Sequence, residues 1–283
     1  MDQVLSLWAR RVEQEFGSPL GSAMAYALES PGKRLRPALL LAAYRALGGV
    51  GAVAQVAAAV EVVHSYSLVH DDLPCMDDDD MRRGRPTVHR QFDTRTATEA
   101  GYRMIPLSAR VLASGVEALG LGPVVLGALG LELFRAAGVR GMVGGQVLDL
   151  AAEGRELTQD DLILIHRRKT GALIAASVVM GAIAAGADPA RVTAMRGYGE
   201  EIGLAFQIAD DLLDQNATSV ELGKTAGKDA RRRKPTFATL MDRAAAEAEA
   251  ARCVERGVAH LRGARIDSTL LHDLAQFIVN RRS

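Results

Sequence analysis

The chain has 283 residues, a length that suits one large domain or two small ones with a sizeable core. Apolar residues make up 48% and charged residues 24%, and 34 Lys+Arg balance 34 Asp+Glu, so the formal net charge is zero. That balance excludes a general pull toward nucleic acid or anionic membrane, so a charged ligand must be held by local clusters. The two cysteines, Cys75 and Cys253, exclude a disulfide framework and a CxxC zinc site, and a reduced, cytoplasmic setting is expected. The opening "MDQVLSLWARRVEQEFG" has no basic start followed by an apolar core, so it does not read as a signal peptide.

In chain order, "GKRLRP" (32–37) leads into an apolar helix. "AVAQVAAAVEVVHSYSLVHDD" (52–72) has helical periodicity, and Pro74 predicts that this helix stops before it, because Pro disfavours α geometry at Leu73. "EAGYRMIPLSARVL" continues helically but holds Pro106, which predicts a kink or break. "TGALIAASVVMGAIAAGA" (170–187) is uncharged, yet short for a membrane span and without aromatic flanks, so it reads as a buried core helix. "GYGEEIGLAFQIADDLLDQ" (197–215) is again helical. Breakers at Pro31-Gly32, Gly48-Gly49, Gly84 to Pro86, Pro106, Gly120 to Pro123, Gly144-Gly145, Asp188-Pro189 and Pro235 divide the chain into about ten helices. No low-complexity linker interrupts residues 1–283, and the expectation is an all-α bundle of one domain.

The stretch "DDLPCMDDDDMRRGR" (71–85) collects six Asp in its first ten residues. Asp71 and Asp72 fall in the last turn of a helix, facing the negative end of its dipole, so each local term is unfavourable unless a positive partner compensates. A second cluster, Asp210, Asp211 and Asp214, ends another apolar helix. There Asp210 and Asp214 share a face with Gln207, about 6 Å apart along the axis. One such cluster reads equally well as a solvated acidic loop. Two of them, without His or Cys ligands, point to a hard cation held by oxygen. Mg²⁺ is commonly shared between carboxylates and substrate phosphates, so the metal predicts a phosphate ligand.

Phosphate-binding candidates follow the same order. They are Lys33, Arg34 and Arg36; Arg82, Arg83 and Arg85; His166 to Lys169; and Lys224, Lys228 and Arg231 to Lys234. Each alone reads as a solvated basic face. Alternating with the acids, they suit two polyphosphates, one reached through metal and one gripped directly. No Walker A loop or strand-borne GxGxxG is present, so a nucleotide is not indicated.

Taken together, "GKRLRP", "HSYSLVHDDLPCMDDDDMRRGRPTVH", "GGQVLDL", "HRRKTGAL", "FQIADDLLD" and "GKTAGKDARRRKPTF" resemble the trans-isoprenyl diphosphate synthases from about residue 25 onward. The resemblance implies an all-α bundle around a deep cavity, usually a homodimer, with no nucleic-acid partner. It implies metal ligation by Asp71, Asp72, Asp77, Asp210 and Asp214, with Asp211 in the second motif, and roughly three Mg²⁺ ions, for which Mn²⁺ can substitute. Lys33, Arg36, His64 and Arg83 match the isopentenyl diphosphate site, and Arg82, Lys169 and Lys224 match residues reaching the allylic diphosphate, with Lys234 in the same basic run. Lys169, Thr170 and Gln207 match residues beside the developing allylic cation. The implied reaction joins isopentenyl diphosphate to dimethylallyl or geranyl diphosphate.

Tyr66 lies five residues before Asp71, about 7.5 Å deeper along a helix. By resemblance, an aromatic there limits the product to the C15 farnesyl chain; Ser67, at i−4, lies more nearly beneath Asp71. Geranyl and geranylgeranyl synthases are the neighbouring alternatives, and a terpene cyclase or a non-catalytic partner subunit the remoter ones. The chain departs from the family at Tyr102, where Asp is expected, and at Pro106. Both fall in a region that the resemblance assigns to the dimer interface and the lower cavity wall.

Overall fold

A computed structural model describes residues 1–214 and 236–280, and these form two compact units. The architecture is all-α. Fourteen α-helical segments stand among the described residues, two of them only four residues long.

The first unit takes residues 1–37 and 52–120. It contains α1 (Asp2–Phe16), α2 (Leu20–Leu28), α4 (Ala54–Asp71), the two-residue strands β1 (Met81–Arg82) and β2 (Arg85–Pro86), α5 (Val88–Gln91) and α6 (Thr94–Ala118). The apolar side chains of α4 lie around its whole circumference, which makes it the central helix, and it packs chiefly on α6. Small residues permit the close approach. A Cβ on Gly115 would meet the backbone of Val56, and one on Gly101 would strike the His70 ring. Asp93 caps the start of α6, its carboxylate accepting from the Thr96 amide at 2.8 Å.

Two of the expected breaks do not occur. Helix α6 runs uninterrupted through Pro106. The proline and Tyr102, whose carbonyl loses its helical partner, both face solvent, so water can replace the missing hydrogen bond. Gly144-Gly145 does not end a helix either but lies inside α8 of the second unit, where the missing side chain at Gly145 admits the backbone of Lys169.

The second unit takes residues 38–51 and, of its remainder, the described 121–214 and 236–280. The helix α3 (Leu35–Ala46) enters it after Pro37. There follow α7 (Pro123–Ala137), α8 (Met142–Ala151), α9 (Gln159–His166), a π-helical turn (Arg167–Gly171), α10 (Ala172–Ala184), α11 (Pro189–Asp214), α12 (Phe237–Leu240), α13 (Arg243–Gly263) and α14 (Thr269–Asn280). The uncharged stretch is α10, buried almost throughout, with Gly181 seated on the α3 backbone. Thr158 and Asp161 form a reciprocal capping box at the start of α9. No helix among the described residues is long and apolar enough to cross a membrane.

Candidate active site

In the first unit, α4 ends where Pro74 predicts, with Asp72 as its C-cap. The chain then folds back on its own helix end. The amides of Met76 and Asp78 donate to the Leu73 carbonyl at 2.9 and 3.0 Å, that of Asp77 to Asp71 at 2.8 Å and that of Asp79 to Asp72 at 3.2 Å. Carbonyls that a helix end leaves without partners are thereby satisfied, and Asp77 is set beside Asp71. Both residues are half-buried.

Asp72 is 3% exposed. Arg82 Nε reaches both its oxygens, at 2.7 and 2.9 Å, and Arg82 Nη2 lies 2.6 Å from Oδ1. Burial pushes the Asp72 carboxyl above its ordinary pKa, against the opposing pull of Arg82.

The arginines are presented by an antiparallel ribbon in which Met81 pairs with Pro86 and Arg82 with Arg85. Its turn is Arg83-Gly84, with φ of 52° and 75°, the sign pattern of a type I′ hairpin. A side chain in the left-handed region costs about 1–2 kcal/mol, and Arg83 carries that strain. The ribbon docks on α2, where the Tyr26 hydroxyl donates to the Pro86 carbonyl at 2.8 Å and the Arg85 guanidinium lies 4.0 Å over the Tyr26 ring. Arg83 donates to the Pro31 carbonyl at 2.5 Å.

Arg82 and Arg83, with Arg34 and Arg36, act on one histidine. Burial first, then the charges of Arg36, Arg83, Arg82 and Arg34, hold the His64 pKa well below its ordinary value. The imidazole is neutral and sits in a strongly positive field, an arrangement that fits an anion. Arg34 is itself anchored by the buried Glu61 at 2.8 Å. Lys33 is exposed and Arg36 half-buried beside this cluster. Two residues further along α4, Tyr66 is 6% exposed, with its ring edge-on to His70 at 6.0 Å. Burial, then the Asp71 charge, raise its hydroxyl to about 12. The Ser67 hydroxyl donates back to the His64 carbonyl at 2.9 Å.

In the second unit, the π-helical turn carries Lys169 and Thr170. The Lys169 ammonium lies 2.6 Å from Asp149 of α8. The Thr170 hydroxyl donates to Gln207 Oε1 at 3.0 Å, and Gln207 Nε2 donates to Asp211 Oδ1 at 2.8 Å. The other Asp211 oxygen accepts from the Phe237 amide at 3.0 Å. His166 stacks on Phe237, its Nε2 3.5 Å from Asp211, without hydrogen-bond geometry. Gly203 of α11 lies flush against Gly171, which seats the turn on that helix. Asp210 is half-buried near the end of α11; of Asp214 only the backbone is described.

A family model described as polyprenyl synthetase matches residues 18–261. The chain belongs to the polyprenyl synthetase family. It is 39% identical to farnesyl diphosphate synthase of Geobacillus stearothermophilus over 99% of this chain and 94% of that protein. It is 45% identical to a heterodimeric geranylgeranyl pyrophosphate synthase large subunit of Arabidopsis thaliana, over 77% of this chain and 60% of that one. Among solved structures, geranyltransferase of Helicobacter pylori complexed with magnesium and isoprenyl diphosphate superposes with a TM-score of 0.81. The identity is 30%, covering 96% of this chain and 93% of that one. The chain is therefore a prenyltransferase with the isoprenoid synthase fold, of a family that elongates prenyl chains and uses a divalent metal.

Within that family frame, the first unit brings Asp71 and Asp77 together, and Arg82 and Arg83 onto one turn. The second unit brings Thr170, Gln207 and Asp211 into one hydrogen-bonded row and pairs the neighbouring Lys169 with Asp149. Lys224, Lys228, Arg231 to Arg233, Lys234 and Pro235 lie outside the described residues. Asp71 and Asp77, joined through the backbone of the acidic turn, offer oxygen donors of the kind that suit Mg²⁺. Sequence reasoning passed over Asp149, although it lies three residues after Gln146 in "GGQVLDL", on a helix that leads toward the π-helical turn.

Proposed function

We propose that this prenyltransferase condenses isopentenyl diphosphate with dimethylallyl or geranyl diphosphate and releases farnesyl diphosphate. The carrying observation is the convergence of Arg34, Arg36, Arg82 and Arg83 on a neutral His64, in the same unit as the acidic turn of Asp71 and Asp77. Such a unit can hold one diphosphate by direct cation contact and another through metal. Lys33, Arg36, His64 and Arg83 take the isopentenyl diphosphate. Asp71 and Asp77, with Asp210 and Asp214 of the second motif, hold Mg²⁺, which stabilises charge on the leaving diphosphate when bound. Asp72 positions Arg82 toward that same diphosphate.

Lys169, held by Asp149, and Lys224 add positive charge to the leaving group, and Lys234 extends the basic run. Oxygens of Thr170 and Gln207 face the allylic cation, and Asp211 fixes Gln207 through its amide. The double bond of isopentenyl diphosphate attacks the allylic carbon, the C–O bond to diphosphate breaks, and the proton lost from the new cation goes to the departing diphosphate. An apolar cavity keeps water from the cation, with Tyr66 as its floor and Ser67 beside it.

The whole chain acts as one synthase domain. We place a homodimer contact on α7, α8 and the connection between them, where Val124 is 85%, Val139 78% and Val147 60% exposed. The two free cysteines accord with a reducing, cytoplasmic location. Product length is tested by incubating the protein with isopentenyl diphosphate, Mg²⁺ or Mn²⁺, and either starter, then separating the products by chain length. Farnesyl diphosphate is expected from both starters and no elongation after chelation. A C20 product from the unaltered chain would favour the geranylgeranyl reading, and absence of any elongation would overturn the proposal.

A further inference from the structure

Beyond the acidic turn, Asp78 and Asp80 meet His89 of α5. One carboxylate oxygen from each Asp and one ring nitrogen of His89 all lie within 4.8 Å of one another. The aspartates are exposed, whereas His89 is 6% exposed.

The tautomer of His89 follows from its neighbours. The Thr87 hydroxyl has one proton and donates it to the Asp79 carbonyl at 2.7 Å. Toward His89 Nδ1, at 3.2 Å, Thr87 Oγ1 therefore accepts, and Nδ1 carries the ring proton. Nε2 is left with a lone pair that is buried and has no hydrogen-bond partner. A buried acceptor in that state is costly unless something positive meets it. Burial, then the Arg90 charge, hold the imidazole below its ordinary pKa, so the lone pair stays available. An imidazole whose second nitrogen donates to an oxygen is the usual state of a metal-ligating histidine. Asp80 also accepts from Arg90 at 2.6 Å, and a carboxylate has acceptor sites enough for both.

We propose that Asp78, Asp80 and His89 form a separate site for a transition-type divalent cation such as Zn²⁺, distinct from the acids that serve the diphosphates. The mixed nitrogen and oxygen donors favour Zn²⁺ over Mg²⁺. A cation here clips the segment after Asp77 to α5 and so stiffens the acidic turn from behind.

The test is calorimetric titration of Zn²⁺ into the full chain, in excess Mg²⁺ and without any diphosphate. A single bound Zn²⁺ per chain is expected, with a rise in melting temperature. Thr87→Val, which removes the partner of Nδ1 together with the donor to the Asp79 carbonyl, is expected to weaken binding about 10–100-fold. Asp78→Asn, a change at an exposed carboxylate, weakens it at least about tenfold and abolishes the Zn²⁺-dependent rise in melting temperature. Asp71→Asn leaves both unchanged. His89→Ala adds a ligand deletion where it folds, and Asp78→Asn carries the test where it does not. No Zn²⁺ binding by the unaltered chain, or binding lost with Asp71→Asn and kept with Asp78→Asn, would overturn the site.

Discussion

Replacing Asp72 by Leu removes the anchor of Arg82. The two side chains are 4% and 15% exposed, and three contacts of 2.6–2.9 Å join them. Stranding a buried charge this way typically costs 3–5 kcal/mol, but Arg82 keeps some solvent and has Asp79 at 3.8 Å, so the expected loss is about 2–3 kcal/mol. Arg82→Met, which strands the carboxylate instead, should cost a similar amount. The double variant should lose far less than the sum, because an apolar pair of like volume often replaces a buried ion pair at no net cost. Urea unfolding of the four proteins gives the coupling energy, expected to be at least about 1.5 kcal/mol. The raised carboxyl pKa of Asp72 has the same sense. For an acid whose folded pKa exceeds 3.8, the associated stability is full below that value and lost as pH rises through the folded pKa. The pair therefore serves position more than stability, and Asp72→Leu should lower kcat/KM about 100-fold through misplacement of Arg82. Stability losses that add within about 0.5 kcal/mol, or unchanged kinetics, would refute this reasoning.

Further outcomes follow from other contacts. Tyr66→Ala is expected to lengthen the product, read by chromatography, and to lower stability by about 3–5 kcal/mol because the ring is buried; an unchanged product profile removes Tyr66 as the floor. His64 is expected to be neutral at pH 7 in the free protein, and diphosphate should raise its pKa, visible in imidazole resonances. Because its folded pKa lies below 6.5, its contribution to stability is present above that value and lost as pH falls beneath it, which a pH series of melting temperatures checks. Gly145→Ala drives a methyl group into the Lys169 backbone and is expected to cost about 1–3 kcal/mol and to reduce kcat, measured with the folded variant.

How far the sequence could be read depended on whether the signal was local. The end of α4 was legible, because Pro74 acts on its immediate neighbour. The burial of α10 was legible from an uncharged run. Pro106 misled because its effect is decided by which face it occupies, and it occupies the solvent face. The Arg83-Gly84 ribbon is too short for strand periodicity to reveal. Asp149 was missed because its partner lies twenty residues away, on the far side of a connection. The acidic turn was recognised as a set of charges, but the split between Asp72, turned to Arg82, and Asp71 with Asp77 is a matter of backbone hydrogen bonding that no spacing rule states.

The ribbon that bears Arg82 and Arg83 has a consequence for how such an enzyme can change. Gly84 stands at φ 75°, and the two arginines are adjacent on a turn with no slack. Any substitution that reshapes this turn moves both guanidiniums at once. The proposed grips on the two diphosphates are thus mechanically one part, and selection for a different starter must act elsewhere, at the cavity floor or on the π-helical turn, where one substrate can be altered without disturbing the other.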